Sequence, residues 1–184
     1  MSGAMEEFEL TLAAAKRGDG QAFARLYEWL AAPVHGYLRS RRVADAEGMT
    51  NDVFLRAFKN VSSFSGDGEH FRSWVFTIAH NATLDERRRA ARRPADIGLA
   101  VVPEQPTSDA ADDALETLAR ERIERLLGRL APDQRDVFLL RVLGDLSVAQ
   151  TAEVLGKSYE AVKALQRRGA ASLKKLLADE GVPK

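Results

Sequence analysis

Basic, amide and hydroxyl side chains gather near the C-terminal end of this 184-residue chain. The group consists of Ser158, Lys163, Gln166, Arg167 and Arg168. A guanidinium can bond the edge of a guanine through two hydrogen bonds, and either type of cation can bond a phosphate. The chemistry available to this group is therefore recognition of a nucleic acid. The residue types alone leave open which of them would contact bases.

The segment around this basic group predicts two helices joined by a tight turn. Ser147 and Gln150 form a Ser-x-x-Gln capping box, which should start a helix at Val148. Gly156 stands where that helix should stop, and Ser158 is placed to cap the next one. A short helix, a glycine turn and a basic second helix predict a DNA-binding helix-turn-helix. The alternative is an ordinary helical hairpin whose basic face is only solvated.

A second basic run, ERRRAARR at residues 86–93, ends another predicted helix that starts at residue 71. Trp74 and the apolar residues that follow it at helical spacing predict a buried face for this helix. Asn81 and Asp85 fall on the opposite side, together with arginines. Cations at a helix C-terminus also complement the helix dipole. A solvated, dipole-stabilised end is therefore the alternative to a phosphate-binding one.

The charges of the chain are unevenly spread, although 27 basic residues balance 27 acidic ones. Residues 96–116 carry six acids and no base, and they separate the two basic runs. Two basic patches with an acidic segment between them could grip a long polyanion at two places.

Several functional classes are disfavoured by what the sequence lacks. The absence of cysteine excludes disulfides and the usual zinc-finger and redox motifs. His35, His70 and His80 lie on different predicted segments without a metal-ligand spacing, so we expect no metal, no cofactor and no enzymatic activity. No apolar run approaches the ~20 residues of a membrane span, and the acidic N-terminus is unlike a signal peptide. We therefore expect a cytoplasmic protein without membrane insertion.

The spacing of apolar residues predicts an all-α chain made of two small helical domains. The predicted helices of the first domain, residues 1–93, are 6–17, 22–30, 33–42, 44–60 and 71–92. Residues 94–113 contain three prolines and no usable periodicity, which predicts an acidic, flexible linker. The second domain, residues 114–184, would hold the helix-turn-helix.

Four segments, taken in order, resemble the extracytoplasmic-function (ECF) sigma factors of the bacterial sigma-70 family. The segments are GDGQAFARLYEWL, AEGMTNDVFLRAFKNVSSFSGDG, FRSWVFTIAHNATLDERRRAARRP and RLAPDQRDVFLLRVLGDLSVAQTAEVLGKSYEAVKALQRRGAASLKKLL. The resemblance covers the chain nearly end to end. It implies that the first domain binds the clamp helices of bacterial core RNA polymerase and the minus-10 promoter element. It implies that the second domain binds the polymerase flap and the minus-35 element.

The resemblance also implies roles for individual residues. Core polymerase would be contacted by Glu47, Asp52, Leu55 and Arg56. The minus-10 element would be read by the loop from Phe64 to Glu69 and by Trp74, Asn81, Asp85, Arg87, Arg88 and Arg89. The minus-35 element would be read by Lys163, Arg167 and Arg168, with Gln166 and Ser158 as lesser candidates. For Trp74, a plain core position is the alternative to direct base contact.

Three positions depart from the family pattern. Gly48 stands where the clamp-binding helix usually has an acid, Asn51 where it has glutamine or an acid, and Ala164 where the recognition helix often has a small polar residue. A mid-helix glycine costs roughly 1 kcal/mol relative to alanine, so Gly48 bears on polymerase binding. The family further implies an anti-sigma partner. A free-standing helix-turn-helix regulator is the alternative function, although it leaves the Trp74 helix and the linker unexplained.

Overall fold

A computed structural model of the chain describes residues 2–92, 122–123 and 125–179. All regular structure in these residues is helical, which confirms the predicted fold class. The helices are α1 (Ser2–Lys16), α2 (Gly20–Ser40), α3 (Ala46–Asn60), a 3₁₀ helix (Val61–Ser63), α4 (Gly68–Arg92), α5 (Pro132–Val142), α6 (Val148–Leu155) and α7 (Tyr159–Asp179). Residues 125–128 are also helical. The predicted linker, residues 94–113, lies outside the described residues.

The helix α2 is continuous where the sequence predicted two helices divided near Pro33. Proline has no N–H to donate and its ring crowds the preceding turn, so it usually ends or kinks a helix. Here the residues on both sides of Pro33 belong to one buried stripe, formed by Leu26, Leu30, Val34, Tyr37 and Leu38. Burial of this stripe outweighs the loss of one backbone hydrogen bond, and the prediction of a break was wrong.

The start of α3 gives Gly48 a role that the sequence did not reveal. Asp45 caps this helix, and its carboxylate accepts a hydrogen bond from the Gly48 N–H at 2.7 Å. A side chain at position 48 would bring its Cβ into severe overlap with the same carboxylate. Gly48 therefore lies in the first turn and leaves room for the cap. Its description as a mid-helix glycine was wrong.

The N-terminal unit, α1 to α4, is built around the buried face of α4. Val75 and Ala82 are buried as predicted, whereas Trp74, Ile78 and Leu84 are only partly buried. The remaining buried side chains of α4 include Phe71, Phe76, Ala79, His80 and Thr83. The buried face is wider than predicted because α4 packs against α2 and α3 on one side and against α6 on another.

The C-terminal unit, residues 125–179, has a small core beneath the helix-turn-helix. Val137, Ala152, Val162 and Leu165 form this core. Gly169 lets α7 approach α5, since a Cβ at this position would lie 2.6 Å from the ring of Phe138. Two apolar residues of this unit lie at the surface, although their helical spacing had suggested burial: Val142 is 72% exposed and Ala149 is exposed.

The two units pack against each other, an arrangement that we call the closed arrangement. Leu139, Leu140, Leu146 and Val154 of the C-terminal unit join the same buried cluster as Phe76 of the N-terminal unit. None of the described helices is long and apolar enough to cross a membrane.

Candidate nucleic-acid and polymerase interface

The basic group found in the sequence lies on one exposed side of α7, which we call the recognition surface. Lys163, Arg167 and Arg168 are exposed, and Gln166 is partly buried. Val162 and Leu165 anchor the opposite side of α7 in the core. The ammonium of Lys163 lies 5.5 Å from the centre of the Tyr159 ring, a distance that permits a cation–π contact. The recognition surface is thus a cationic face on a rigidly packed helix.

The turn before α7 is held by the local bonds that the sequence predicted. Ser147 and Gln150 make both hydrogen bonds of the capping box, at 2.7 and 3.1 Å. Gly156 ends α6 in the left-handed conformation, with φ of 59°. The Ser158 hydroxyl accepts a hydrogen bond from the Ala161 N–H at 3.2 Å. The helix-turn-helix prediction is confirmed in its caps, its turn and its two helices.

An aromatic cluster joins the loop after α3 to the start of α4. The ring of Phe64 lies 5.0 Å from that of Trp74, and Phe71 lies 5.6 Å from Trp74 on another side. The Lys16 ammonium lies 4.9 Å from the centre of the Phe64 ring and donates a hydrogen bond to the Gly66 carbonyl at 3.3 Å. Phe64 and Trp74 are partly buried, so they pack in the cluster and also reach the surface.

The outer face of α4 continues from this cluster toward the arginine run. Asn81 is exposed, and Arg88 donates to the carboxylate of Asp85 at 3.3 Å. Arg89 is exposed as well. With Phe64 and Trp74, these residues form what we call the aromatic–arginine surface. Arg87, also predicted for the minus-10 element, is exposed but lies on the side of α4 that carries His80, where its charge acts on His80 and Tyr37. The structure therefore brings the other residues predicted for the minus-10 element onto one side of the N-terminal unit and places Arg87 apart from them.

The helix α3 carries a third surface, which we call the α3 patch. Glu47, Asp52, Leu55 and Arg56 are all exposed, and the Leu55 side chain is 54% exposed. Asn51, one of the departures from the family pattern, accepts a hydrogen bond from the Tyr27 hydroxyl at 3.0 Å. That bond ties α3 to α2.

A buried polar cluster at the boundary between the units was missed in the sequence. Arg41 follows α2 and forms an ion pair with Asp136 of α5, and both residues are buried. Tyr37 and His80 adjoin this pair and share a hydrogen bond of 2.8 Å. An acid beside Val137 on the buried face of α5 is the signal that could have revealed it.

The ionisation of this cluster follows from its burial. Burial, followed by the charge of Arg41, lowers the pKa of His80, which favours the neutral imidazole. Burial raises the pKa of Tyr37 and keeps it neutral. Burial alone would lower the pKa of Arg41, but Tyr37 and Asp136 outweigh it and raise that pKa. The raised pKa keeps the Arg41 guanidinium charged in this buried setting.

The closed arrangement places α6 of the helix-turn-helix beside the start of α4. Gln150 donates a side-chain hydrogen bond to the Glu69 carbonyl at 3.3 Å, and Arg72 lies 3.8 Å from Asp145. The pKa of His70 is raised, chiefly by its hydrogen bond to Asp67 and further by Glu153 of α6. Glu69, predicted to end the minus-10 loop, belongs to the first turn of α4, and this turn is next to the C-terminal unit.

Comparison with known proteins assigns the chain to a family. Residues 22–93 match the family described as sigma-70 region 2, and residues 120–173 match sigma-70, region 4. The ECF RNA polymerase sigma factor SigM of Mycobacterium tuberculosis is 32% identical over 90% of this chain, which covers 82% of that relative. The chain belongs to the sigma-70 family and, within it, to the ECF sigma factors.

Two further relatives are similar over most of the chain. The ECF RNA polymerase sigma factor BldN of Streptomyces coelicolor is 34% identical over 90% of this chain, which spans 64% of that relative's length. The solved structure of CnrH in complex with the cytosolic domain of CnrY is 26% identical, with a TM-score of 0.66. That match covers 93% of this chain and 97% of CnrH. The resemblance predicted from the motifs is confirmed.

Proposed function

We propose that this protein is a dissociable subunit of bacterial RNA polymerase that recognises the minus-35 and minus-10 elements of promoters and helps to open the DNA. The observation that carries the proposal is the match of two successive segments to sigma-70 regions 2 and 4. Each matched unit also carries a surface suited to DNA: the aromatic–arginine surface in the N-terminal unit and the recognition surface in the C-terminal unit. The α3 patch is suited to the polymerase. The units correspond to residues 1–93 and 114–184, with 94–113 between them.

The recognition surface would read the minus-35 element. Lys163, Arg167 and Arg168 are exposed on a helix whose other side is fixed in the core, as major-groove reading requires. Gln166 and Ser158 lie beside them. Arginines would divide between guanine edges and phosphates, while the lysine suits phosphate or a single base acceptor.

The aromatic–arginine surface would hold the opened minus-10 element. Phe64 and Trp74 offer partly exposed rings near a short loop, and stacking a base on such a ring is worth about 1–3 kcal/mol. Asn81 and Asp85 offer hydrogen-bonding groups to unpaired bases, and the arginines at 87–89 suit the phosphates. Binding of unstacked bases would compensate for the base pairs that are broken on opening.

The α3 patch would bind the clamp helices of core RNA polymerase. Leu55 supplies apolar area, and Glu47, Asp52 and Arg56 supply charges around it. This combination of an apolar centre and a polar rim is typical of protein interfaces. The protein would need no catalytic residue, metal or cofactor of its own, and it would act in the cytoplasm with the polymerase.

The closed arrangement would have to open before both promoter elements are bound. Elements near minus-10 and minus-35 are separated by roughly 25 base pairs, or on the order of 85 Å of duplex. In the closed arrangement Gln150, in the helix-turn-helix, contacts Glu69, at the end of the predicted minus-10 loop. In the closed arrangement, the recognition surface and the aromatic–arginine surface could therefore not bind their two promoter elements at the same time.

An anti-sigma protein would hold the protein away from the polymerase. The similar protein CnrH is solved in complex with the cytosolic domain of CnrY. In this chain an apolar groove of about 750 Å³ lies between α2 and the C-terminal unit, where Val142 is 72% exposed. We expect an anti-sigma protein to cover exposed apolar surface of this kind on both units.

The test is transcription in vitro with bacterial core RNA polymerase, the purified protein and a library of genomic promoters. Discrete start sites that require the protein would support the proposal and would define both elements. Specific binding to duplex DNA without polymerase, together with failure to bind core enzyme, would instead favour a free-standing regulator.

A further inference from the structure

The helix α1 contacts both the 3₁₀ helix and α4. Residues 64–67 join those two elements, and we call them the 64–67 loop. This loop contains most of the segment that was predicted to surround an unpaired minus-10 base. Leu12 and Ala15 fix α1 in the core, with exposures of 1% and 0%. Because α1 precedes residues 22–93, it is a firmly packed neighbour of the loop that lies outside the segment matching sigma-70 region 2.

Lys16 reaches from the end of α1 to the middle of the 64–67 loop. Its ammonium donates a hydrogen bond to the Gly66 carbonyl at 3.3 Å and lies 4.9 Å from the centre of the Phe64 ring. Gly66 has a φ of 143°, which residues with a side chain rarely adopt, and a Cβ there would lie 2.9 Å from the Cβ of His70. A single side chain of α1 therefore contacts both the turn at Gly66 and the ring at Phe64.

Glu9 lies about two turns before Lys16 on α1 and contacts the other end of the same loop. Its carboxylate accepts a hydrogen bond at 2.6 Å from the N–H of Gly68, the first residue of α4. A carboxylate in this place also complements the dipole of α4. Gly68 permits the close approach, because a Cβ there would lie 2.6 Å from the Phe8 ring and 3.1 Å from the Glu9 carboxylate. The start of α4 is thus fixed from α1.

Backbone hydrogen bonds secure the two ends of the 64–67 loop. The Phe64 N–H donates to the Val61 carbonyl at 3.1 Å, and the Phe71 N–H donates to the Asp67 carbonyl at 2.8 Å. The centre of the loop, Ser65 and Gly66, is exposed. Within the described residues, the hydrogen bond that reaches this centre comes from Lys16. The shape of the middle of the loop therefore depends on α1.

We propose that Lys16 is a positioning residue for the minus-10 element: it holds the 64–67 loop in the shape that receives an unpaired base, and Glu9 holds the end of that loop. The inference rests on the proposed function, since it assigns Lys16 a role only if the loop binds a base. A loop that must be ordered on binding costs affinity, whereas a loop already held in its bound shape avoids that cost. The shape of the loop also affects which base fits, so Lys16 influences base preference as well as affinity.

The test uses the full chain bound to core RNA polymerase and a pool of single-stranded DNA oligonucleotides with a short randomised stretch. Sequencing of the bound fraction gives the base preference, and fluorescence anisotropy with the preferred sequence gives the affinity. Lys16→Met keeps a long side chain but loses the charge and the donor, so affinity should fall roughly tenfold and the base preference should weaken. Lys16→Arg keeps a cation and donors and should restore most of both properties.

The matched control is Arg17→Met, which removes the same charge from the next residue of the chain. Arg17 is exposed, and this variant should stay within about twofold of the wild-type affinity with an unchanged base preference.

The salt dependence of affinity separates positioning from a direct contact between Lys16 and the DNA backbone. A lysine that neutralises a phosphate of single-stranded DNA contributes about 0.7 units to the slope of log affinity against log salt. Positioning predicts that Lys16→Met lowers the affinity and leaves this slope unchanged.

Glu9 provides a second readout, in which positioning and simple attraction predict opposite signs. Removal of an acid would by charge alone strengthen binding to a polyanion. We expect Glu9→Ala instead to weaken binding by roughly threefold, because the start of α4 loses its support. Glu9→Gln keeps an acceptor oxygen and should lie between Glu9→Ala and the wild type.

Two results would overturn the inference while the proposed function stands. One is wild-type affinity and base preference in Lys16→Met. The other is a reduced salt slope with an unchanged base preference in that variant, because Lys16 would then be an ordinary phosphate contact. If the wild-type complex itself showed no base preference, the proposed reading of the minus-10 element would fail, and this inference would fail with it.

Discussion

Arg41 and Asp136 form an ion pair across the boundary between the two units, with side chains 2% and 11% exposed. Removing two charges from water is costly, and only their mutual attraction and hydrogen bonds offset that cost. Neither charge could remain dry if the units separated. The pair therefore belongs specifically to the closed arrangement, and the neutral His80 and Tyr37 lie against it.

We expect Arg41→Ala or Asp136→Ala to destabilise the closed arrangement by about 3–5 kcal/mol, because each leaves a buried charge without its partner. The chain has no cysteine, so single cysteines at Ser62 and Ala171 can carry spin labels. The distance between the labels should lengthen and broaden in both variants. Replacing both charges with leucine should restore the wild-type distance more nearly than either single change.

The control for this experiment is Arg88→Ala, which breaks an exposed ion pair with Asp85 and should change stability by about 0–1 kcal/mol. If the label distance in Arg41→Ala matched that of the wild type while the protein remained folded, the ion pair would not hold the units together.

The recognition surface can be tested by replacing Arg167 and Arg168 with alanine. We expect minus-35-dependent transcription to fall by at least about tenfold, because the change removes two charge-assisted hydrogen-bonding groups that face the DNA. The dependence of DNA affinity on salt should also become shallower, by about one unit of slope for each phosphate that the protein no longer neutralises.

The matched control for the recognition surface is Lys174→Ala with Lys175→Ala, two exposed cations further along α7. This change should preserve most transcription. Binding to core polymerase, measured by co-purification, should be retained in both double variants. Loss of polymerase binding in the arginine variant would show that these residues serve another interface.

The α3 patch can be tested with Leu55→Asp. A charge at the centre of an apolar contact should weaken binding to core RNA polymerase by about tenfold or more, measured by a pull-down or by fluorescence anisotropy. The fold should be unaffected because the side chain is 54% exposed. Leu10→Asp is the matched control, since Leu10 is 68% exposed on α1. Equal weakening by the two variants would argue against a specific role for α3.

The two histidines near the boundary predict opposite effects of pH on stability. The pKa of His80 is lowered from 6.5, so its neutral form stabilises the protein above pH 6.5, and this contribution is lost as the pH falls toward the folded pKa. The pKa of His70 is raised, so its contribution is present below pH 6.5 and is lost as the pH rises through the folded value.

Chemical denaturation on both sides of pH 6.5 separates the two contributions. As the pH falls below 6.5, the unfolding free energy of His80→Gln should decrease less than that of the wild type. The unfolding free energy of His70→Gln should decrease more than that of the wild type. If the unfolding free energy had the same pH dependence in the wild type and in His80→Gln, protonation of His80 would not contribute to the pH dependence of stability.

Local patterns were sufficient for the helix-turn-helix and for the exposed candidate residues. The capping box at Ser147 and the stop at Gly156 depend only on neighbours along the chain, and both formed as expected. Exposure of Arg167 follows from helical spacing once Val162 and Leu165 are buried. The break expected at Pro33 did not form, because packing of α2 overrode a local preference.

The sequence by itself determined most of the helices, the caps of the helix-turn-helix, the side of α7 that carries the cations and the family to which the chain belongs. Those features depend on periodicity and on residues a few positions apart. Only the tertiary structure decided that Arg41 meets Asp136 and that Gln150 contacts Glu69. Such contacts join residues far apart in the chain, and the burial and desolvation that act on them arise only when two units pack together.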